Sequence, residues 1–174
     1  SGIRVPLIVR WPGHLKPGSV NDQLVSTVDL APTVLSLIGI PVPAHLQGQP
    51  FLGSEARPRE YIYAARDRHD EGYDMVRAVR DARFKYIRNY FPEKPYFDWV
   101  PYGHQHAILQ ELWRLHAENR LEGPKAALMA DGRPPEELYD CESDPFEIRN
   151  LAADPAYRHV LERMRKELDD WRAR

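Results

Sequence analysis

Arg66-Asp67-Arg68-His69-Asp70-Glu71 places six charged or polar residues directly behind an apolar, strand-like run at Tyr61 to Ala65. Side chains on a loop at a strand end are steadied by a scaffold yet reach solvent, and binding groups collect there. Arg66, Arg68 and His69 have the chemistry to grip an anion, the arginines through paired N–H donors. Asp70 and Glu71 can accept hydrogen bonds from sugar hydroxyls. The same residues also fit a solvated turn whose charges pair locally, and composition leaves both readings open.

Other candidates are poorer. His104 and His106 are two apart, so on a helix they point to different sides and make a poor metal pair. Cys141 is the single cysteine, which leaves no internal disulfide and no cysteine pair for zinc. No P-loop, dinucleotide fingerprint or zinc-protease helix is present. Asp29 precedes Leu30-Ala31-Pro32-Thr33, the context of a helix cap rather than a catalytic acid. Trp113 and Trp171 fall on apolar helical faces and read as core. Trp99, in a loop rich in proline and tyrosine, is the better candidate for stacking on a sugar ring. Arg77 shares a strand face with Val79, and Arg80 shares the other with Ala78, so these cations do not form one basic stripe.

The elements that must position these residues follow from periodicity. Ile3 to Trp11 reads as a short buried strand of the kind found in parallel sheets. Such a strand expects neighbours, and its uncovered edge predicts self-association. Gln23 to Val28 reads as extended. A helix capped by Asp29 runs to about Ile38, with Gly39 at its C-terminal end and Val34, Leu35 and Ile38 on one face. Pro41 to Arg59 reads as a long surface connection and as the place for a boundary, giving segments 1–58 and 59–174. Beyond it, Tyr61 to Ala65, Met75 to Arg80 and Phe84 to Tyr90 have strand composition, the last two joined as a hairpin at Asp81-Ala82-Arg83. His104 to Leu121 reads as a helix stopped by Gly123-Pro124. Pro134 to Asp140 leads into a turn at Ser143-Asp144-Pro145. Asp154-Pro155 opens a last helix with an apolar stripe at Tyr157, Val160, Leu161, Met164, Leu168 and Trp171.

Composition narrows the function. With 24 basic and 26 acidic residues among 174, no overall positive field recruits nucleic acid or anionic lipid. Hydrophobic residues at 43 % and charged residues at 29 % suit a folded globular chain. No apolar run is long enough for a membrane-spanning helix.

Three ordered stretches resemble the sulfatase family of the alkaline-phosphatase-like superfamily. The first is Gly2-Ile3-Arg4-Val5-Pro6-Leu7-Ile8-Val9-Arg10-Trp11-Pro12-Gly13, followed by Leu24-Val25-Ser26-Thr27-Val28-Asp29-Leu30-Ala31-Pro32-Thr33-Val34-Leu35, then Gly39-Ile40 and Gly48. The second is Val79-Arg80-Asp81 with Phe84-Lys85-Tyr86. The third is Glu137-Leu138-Tyr139-Asp140, Asp144-Pro145, Glu147 and Asn150-Leu151-Ala152. The resemblance implies the C-terminal portion of a sulfatase. The expected fold is α/β to α+β: the end of a mixed main sheet, then a small antiparallel sheet with a C-terminal helix.

It also implies that the intact enzyme carries formylglycine and a divalent cation, calcium in most members. Both would be held by a catalytic N-terminal half, with no catalytic residue or metal ligand in this chain. Cys141 is followed by Glu-Ser-Asp-Pro and does not match the formylglycine precursor motif. The implied substrate is a sulfate ester or sulfamate of a carbohydrate, with Arg66, Arg68, His69, Asp70 and Glu71 at the mouth of the pocket. The implied compartment is periplasmic, secreted or lysosomal. A phosphoester or phosphonate hydrolase segment and a non-catalytic module for sulfated glycans remain the alternatives.

Overall fold

A computed structural model describes residues 4–97 and 99–174, and for His69 the backbone only. The chain divides into two compact units, residues 1–64 and 65–174.

The first unit is organised by one helix. A 3-10 turn at Thr27–Asp29 runs directly into α1, Leu30–Leu37. The helix ends as expected. Gly39 adopts a positive φ of 75°, and the N–H groups of Gly39 and Ile40 close on the carbonyls of Ser36 and Leu35 at 3.1 and 2.9 Å. That is the Schellman termination, which glycine makes without side-chain strain. The start differs from expectation. Asp29 does not cap α1 with its side chain; the carboxylate reaches back to the Ser26 N–H at 2.9 Å and across to the Gln49 N–H at 2.9 Å. Arg59 adds Nε at 2.6 Å and an Nη2 ion pair. Asp29 already has helical backbone angles, so the helix start lies one turn earlier, at Ser26.

The same staple ties the connection from Pro41 to Arg59, which has no helix or strand, back to α1. The Phe51 N–H donates to the buried Thr33 hydroxyl at 3.1 Å, and Phe51 is itself buried. A Cβ on Gly48 would lie 1.9 Å from the Val28 carbonyl oxygen, so this backbone crossing admits only glycine.

The strand expected at Ile3 to Trp11 does not form. Residues 4 to 10 are irregular and exposed; Ile8 is 91 % exposed, and Ile3 lies outside the described residues. A strand needs neighbours to take its backbone N–H and C=O groups, and no described segment pairs with this one. Gln23 to Ser26 is likewise unpaired coil. The expected apolar face of α1 is open too, with Val34 at 57 %.

The second unit is a four-stranded sheet in the order β1-β2-β3-β4, formed by Ile62–His69, Gly72–Arg80, Phe84–Asn89 and Glu136–Asp140. The chain passes from one unit to the other within β1. The small antiparallel sheet and its hairpin at 81–83 agree with the sequence. β4 is an addition, paired antiparallel to β3.

The sheet has two unlike faces. On one, Val79, Tyr86 and Leu138 sit in a cross-strand row, all fully buried. Helix α5, Arg158–Arg172, covers that row with buried Val160, Leu161, Met164 and Leu168, following its stripe. Asp154 caps the 3-10 turn before it, accepting from the Ala156 N–H at 3.0 Å. Arg165 Nε reaches Glu136 at 2.7 Å, and Glu136 also accepts from the Tyr86 hydroxyl.

The opposite face is polar and still buried. Asn89 donates to Glu137 at 2.6 Å, the Tyr139 hydroxyl donates to the same carboxylate, and Lys85 pairs with Glu147. Burial, with Glu137 alongside, pushes the Tyr139 hydroxyl well above its ordinary value.

Between β3 and β4 the chain makes a long excursion with three helices: α2 (Pro101–His104), α3 (Ala107–Ala117) and α4 (Gly123–Leu128). The single helix expected over 104–121 is therefore broken at Gln105-His106. Gly123-Pro124 opens α4 rather than merely ending what precedes it, since proline fits the first turn of a helix.

Candidate substrate-recognition site

The charged segment is not a loop following a strand. Arg66 to His69 form the second half of β1, and Asp70-Glu71 make the turn into β2. Asp70 takes a left-handed φ of 50°, which aspartate tolerates better than most residues. The strand continues because β2 supplies its backbone partners, a tertiary fact that a run of charges does not reveal.

Alternation along β1 separates the side chains. Asp67 pairs with Arg77 at 2.7 Å, and Arg77 also donates to the Arg66 carbonyl at 3.0 Å. Arg66 and Arg68 fall on the polar face. Arg66 is bound by Asp74, whose second oxygen takes Arg133. Asp74 and Arg133 are both buried. Burial opposes ionisation of Asp74, but Arg133 and Arg66 outweigh it and hold the carboxyl below its ordinary range. Arg133 also ties down the excursion: its N–H donates to the Pro92 carbonyl at 2.8 Å and its Nη1 reaches Pro95 at 3.4 Å. Lys94 donates to the Tyr73 carbonyl.

Arg68 differs from Arg66. Its Nε donates to the Asp70 carbonyl at 2.8 Å, and among the described residues it has no carboxylate partner. It is exposed, as are Asp70 and Glu71 at the turn. The His69 side chain lies outside the described residues. Thus Arg66, Arg68, Asp70 and Glu71 come together on one hairpin end, with Arg66 committed to Asp74 and Arg68 exposed.

Asp74 and Arg133 were not singled out by sequence. They are 59 positions apart, and neither lies in a motif.

The described residues do not fit a metal. No group of three or more His, Cys, Asp or Glu among them could hold one. Of the buried carboxylates, Asp29, Asp74 and Asp140 are engaged by Arg59, by Arg66 with Arg133, and by Arg83. Cys141 is buried, and burial raises its thiol above the usual range.

Residues 1–100 match the family model described as N-sulphoglucosamine sulphohydrolase, C-terminal. The chain is 48 % identical over 172 residues to an ulvan-active sulfatase of Formosa agariphila, covering 98 % of this chain and 29 % of that protein. It is 30 % identical over 184 residues to human N-sulphoglucosamine sulphohydrolase, covering 98 % of this chain and 36 % of that protein. Among solved structures, a 2-O GAG sulfatase aligns with a TM-score of 0.60 at 26 % identity, covering 92 % of this chain and 27 % of that one. The chain thus spans about a third of the length of these curated relatives. It belongs to the sulfatase family and corresponds to that family's C-terminal portion.

Proposed function

We propose that this chain is the C-terminal part of an enzyme that hydrolyses sulfate esters or sulfamates of a carbohydrate. Residues 1–58 would complete the catalytic α/β domain, and residues 59–174 would form the subdomain at the mouth of its pocket. The nucleophile, a formylglycine by family resemblance, and a divalent cation would be supplied by an N-terminal part of the polypeptide. No residue described here takes either role.

Two features support the partnership. The relatives are about three times as long as this chain. The first unit leaves Val5, Leu7, Ile8, Val9, Leu30, Val34 and Ile38 exposed, and burying such side chains is what a further part of the polypeptide would contribute.

The observation that carries the recognition role is Arg68. It is an exposed guanidinium with no carboxylate partner among the described residues, on a strand whose preceding arginine is anchored to a buried aspartate. Arginine in this setting binds sulfate by charge-assisted, paired hydrogen bonds. Asp70 and Glu71, beside it and exposed, would accept from hydroxyl groups of the sugar.

The test is sulfate release by the longer polypeptide carrying this chain. Arg68→Ala is expected to raise KM about tenfold with kcat little changed, as when binding shared by ground and transition states is lost. Unchanged KM would remove Arg68 from recognition. Absence of sulfate release by the unsubstituted polypeptide, with phosphoester turnover in its place, would overturn the reaction class.

A further inference from the structure

β1 is the edge strand of the sheet, so β2 alone takes its backbone groups. Its outer half, which presents Arg68, therefore depends on side chains for its position. Arg66 is held at both ends. Its carbonyl accepts from Arg77 at 3.0 Å, and its guanidinium is bound by Asp74.

Asp74 is held in turn by a residue distant in sequence. Its side chain is 4 % exposed, and that of Arg133, on its other oxygen, is 2 % exposed. Arg66, at 41 %, is the member that reaches solvent. The ion-paired series Arg133, Asp74, Arg66 thus leads from the interior to the recognition hairpin.

Arg133 sits where the β3–β4 excursion closes on itself. A Cβ on Gly132 would lie 2.9 Å from the Pro92 carbonyl oxygen, so the outgoing and returning chain touch there. The Arg133 N–H donates to that same carbonyl at 2.8 Å, and its Nη1 reaches the Pro95 carbonyl at 3.4 Å. The outgoing chain also grips the start of β2. Lys94 donates to the Tyr73 carbonyl, the Phe91 ring meets Tyr73 edge-on at 5.4 Å, and the Tyr90 N–H donates to the Met75 carbonyl at 3.1 Å. Residues 73 to 75, just beyond the turn at 70–71, are therefore fixed by the excursion.

Burial makes the link stiff. A buried carboxylate that loses one of two guanidinium partners is left undercompensated, and its remaining partner must adjust. The Arg133 Nε is buried with no acceptor among the described residues. Asp74 and two prolyl carbonyls set the orientation of this arginine, not full satisfaction of its own donors.

We propose that Arg133 is a positioning residue for recognition of the sulfated sugar. Acting through Asp74, it fixes Arg66 and the edge-strand segment that presents Arg68, without reaching the sugar itself. This inference rests on the recognition role of Arg68 given above.

Two readouts test it. In the 174-residue chain, Arg133→Met keeps the side chain's bulk and removes its charge. Amide exchange at residues 66 to 72 should rise about fivefold or more, with β3 and α5 still protected. Arg133→Lys, which keeps the charge, should hold exchange within about twofold of the unsubstituted chain.

In the longer polypeptide, KM and kcat are read for sulfate release from ulvan oligosaccharides, chosen for the similarity to an ulvan-active sulfatase. Arg133→Met should raise KM about three- to tenfold with kcat within about twofold, the pattern expected of Arg68→Ala. Adding Arg68→Ala to it should raise KM by less than about twofold more, because both changes remove one interaction. Leu168→Ala weakens the core on the other face of the sheet and should leave KM unchanged.

If Arg133→Met loses its circular dichroism spectrum, Asp74→Asn decides, since it keeps the shape of Asp74 without the charge and should raise KM likewise. Unchanged exchange and KM in these variants overturns the proposal. So does a KM raised equally by Leu168→Ala, or full multiplication of the Arg68→Ala and Arg133→Met effects. Arg68→Ala without effect on KM would remove the recognition reading itself, whereas a KM raised by Arg68→Ala alone removes only the positioning role.

Discussion

The two units differ in what their apolar residues meet. In residues 65–174, Val79, Tyr86 and Leu138 are sealed beneath Met164 and Leu168, and the reverse of the sheet is closed by paired charges. In residues 1–64, Ile8 and Val34 face water, and the fold hangs on one aspartate that gathers Ser26, Gln49 and Arg59. An apolar core is redundant, because each residue touches many others. A polar staple is not, because each donor has one acceptor. The second unit therefore has the makings of a self-sufficient fold, and the first has those of a surface awaiting cover.

The largest expected break in this comparison is Leu168→Ala. Truncating a buried leucine costs about 3 kcal/mol through lost burial and a residual cavity. Chemical denaturation should show it as a fall in midpoint, with amide exchange rising in β2 and β3. A change below about 1 kcal/mol would mean that α5 does not close the core.

Next comes Asp29→Ala, which strands Arg59 and two backbone N–H groups. About 2–3 kcal/mol of local stability should disappear. Exchange should rise in α1 and around Gln49 while β2 and β3 stay protected. A uniform rise across both units would merge them into one cooperative body.

Acid should act in the same direction. Burial disfavours the Asp29 carboxylate, but Arg59 and the Gln49 and Ser26 N–H groups hold its folded value below 3.8. The unfolded chain thus takes up the proton first. The contribution is complete above about pH 4 and is lost as pH falls through the folded value. In the second unit, Arg83 holds Asp140 at about 2, against the opposing effect of burial, so its contribution survives to lower pH.

The smallest effect sharpens the contrast most. Ile8→Ser should change the stability of this chain by less than about 0.5 kcal/mol, since the side chain already faces water. In the longer polypeptide the same substitution should be destabilising, read as a lower melting temperature. Equal, negligible effects in both would show that nothing covers this surface.

Periodicity made the interior of the second unit legible. The α5 stripe and the β2–β3 hairpin are local patterns, and both formed where their residues placed them. The first strand misled because Val-, Ile- and Leu-rich composition states only that burial is wanted, while partners come from elsewhere. β4 was missed because Pro134-Pro135 and its charged residues masked a short strand whose Leu138 is fully buried. At the candidate site the residue types were visible, and the strand-plus-turn geometry was not. The pairing of Asp74 with Arg133 has no local signature at all, because it joins positions brought together only by the finished sheet.

That shared aspartate has a consequence for how this subdomain can vary. One carboxylate serves two masters: a hairpin arginine at the proposed sugar site and an arginine at the far end of the β3–β4 excursion. Lengthening, shortening or grafting the excursion is thus not a modular operation. Any swap that draws Arg133 away from Asp74 also loosens Arg66, so selectivity would shift at a site whose own residues were left untouched.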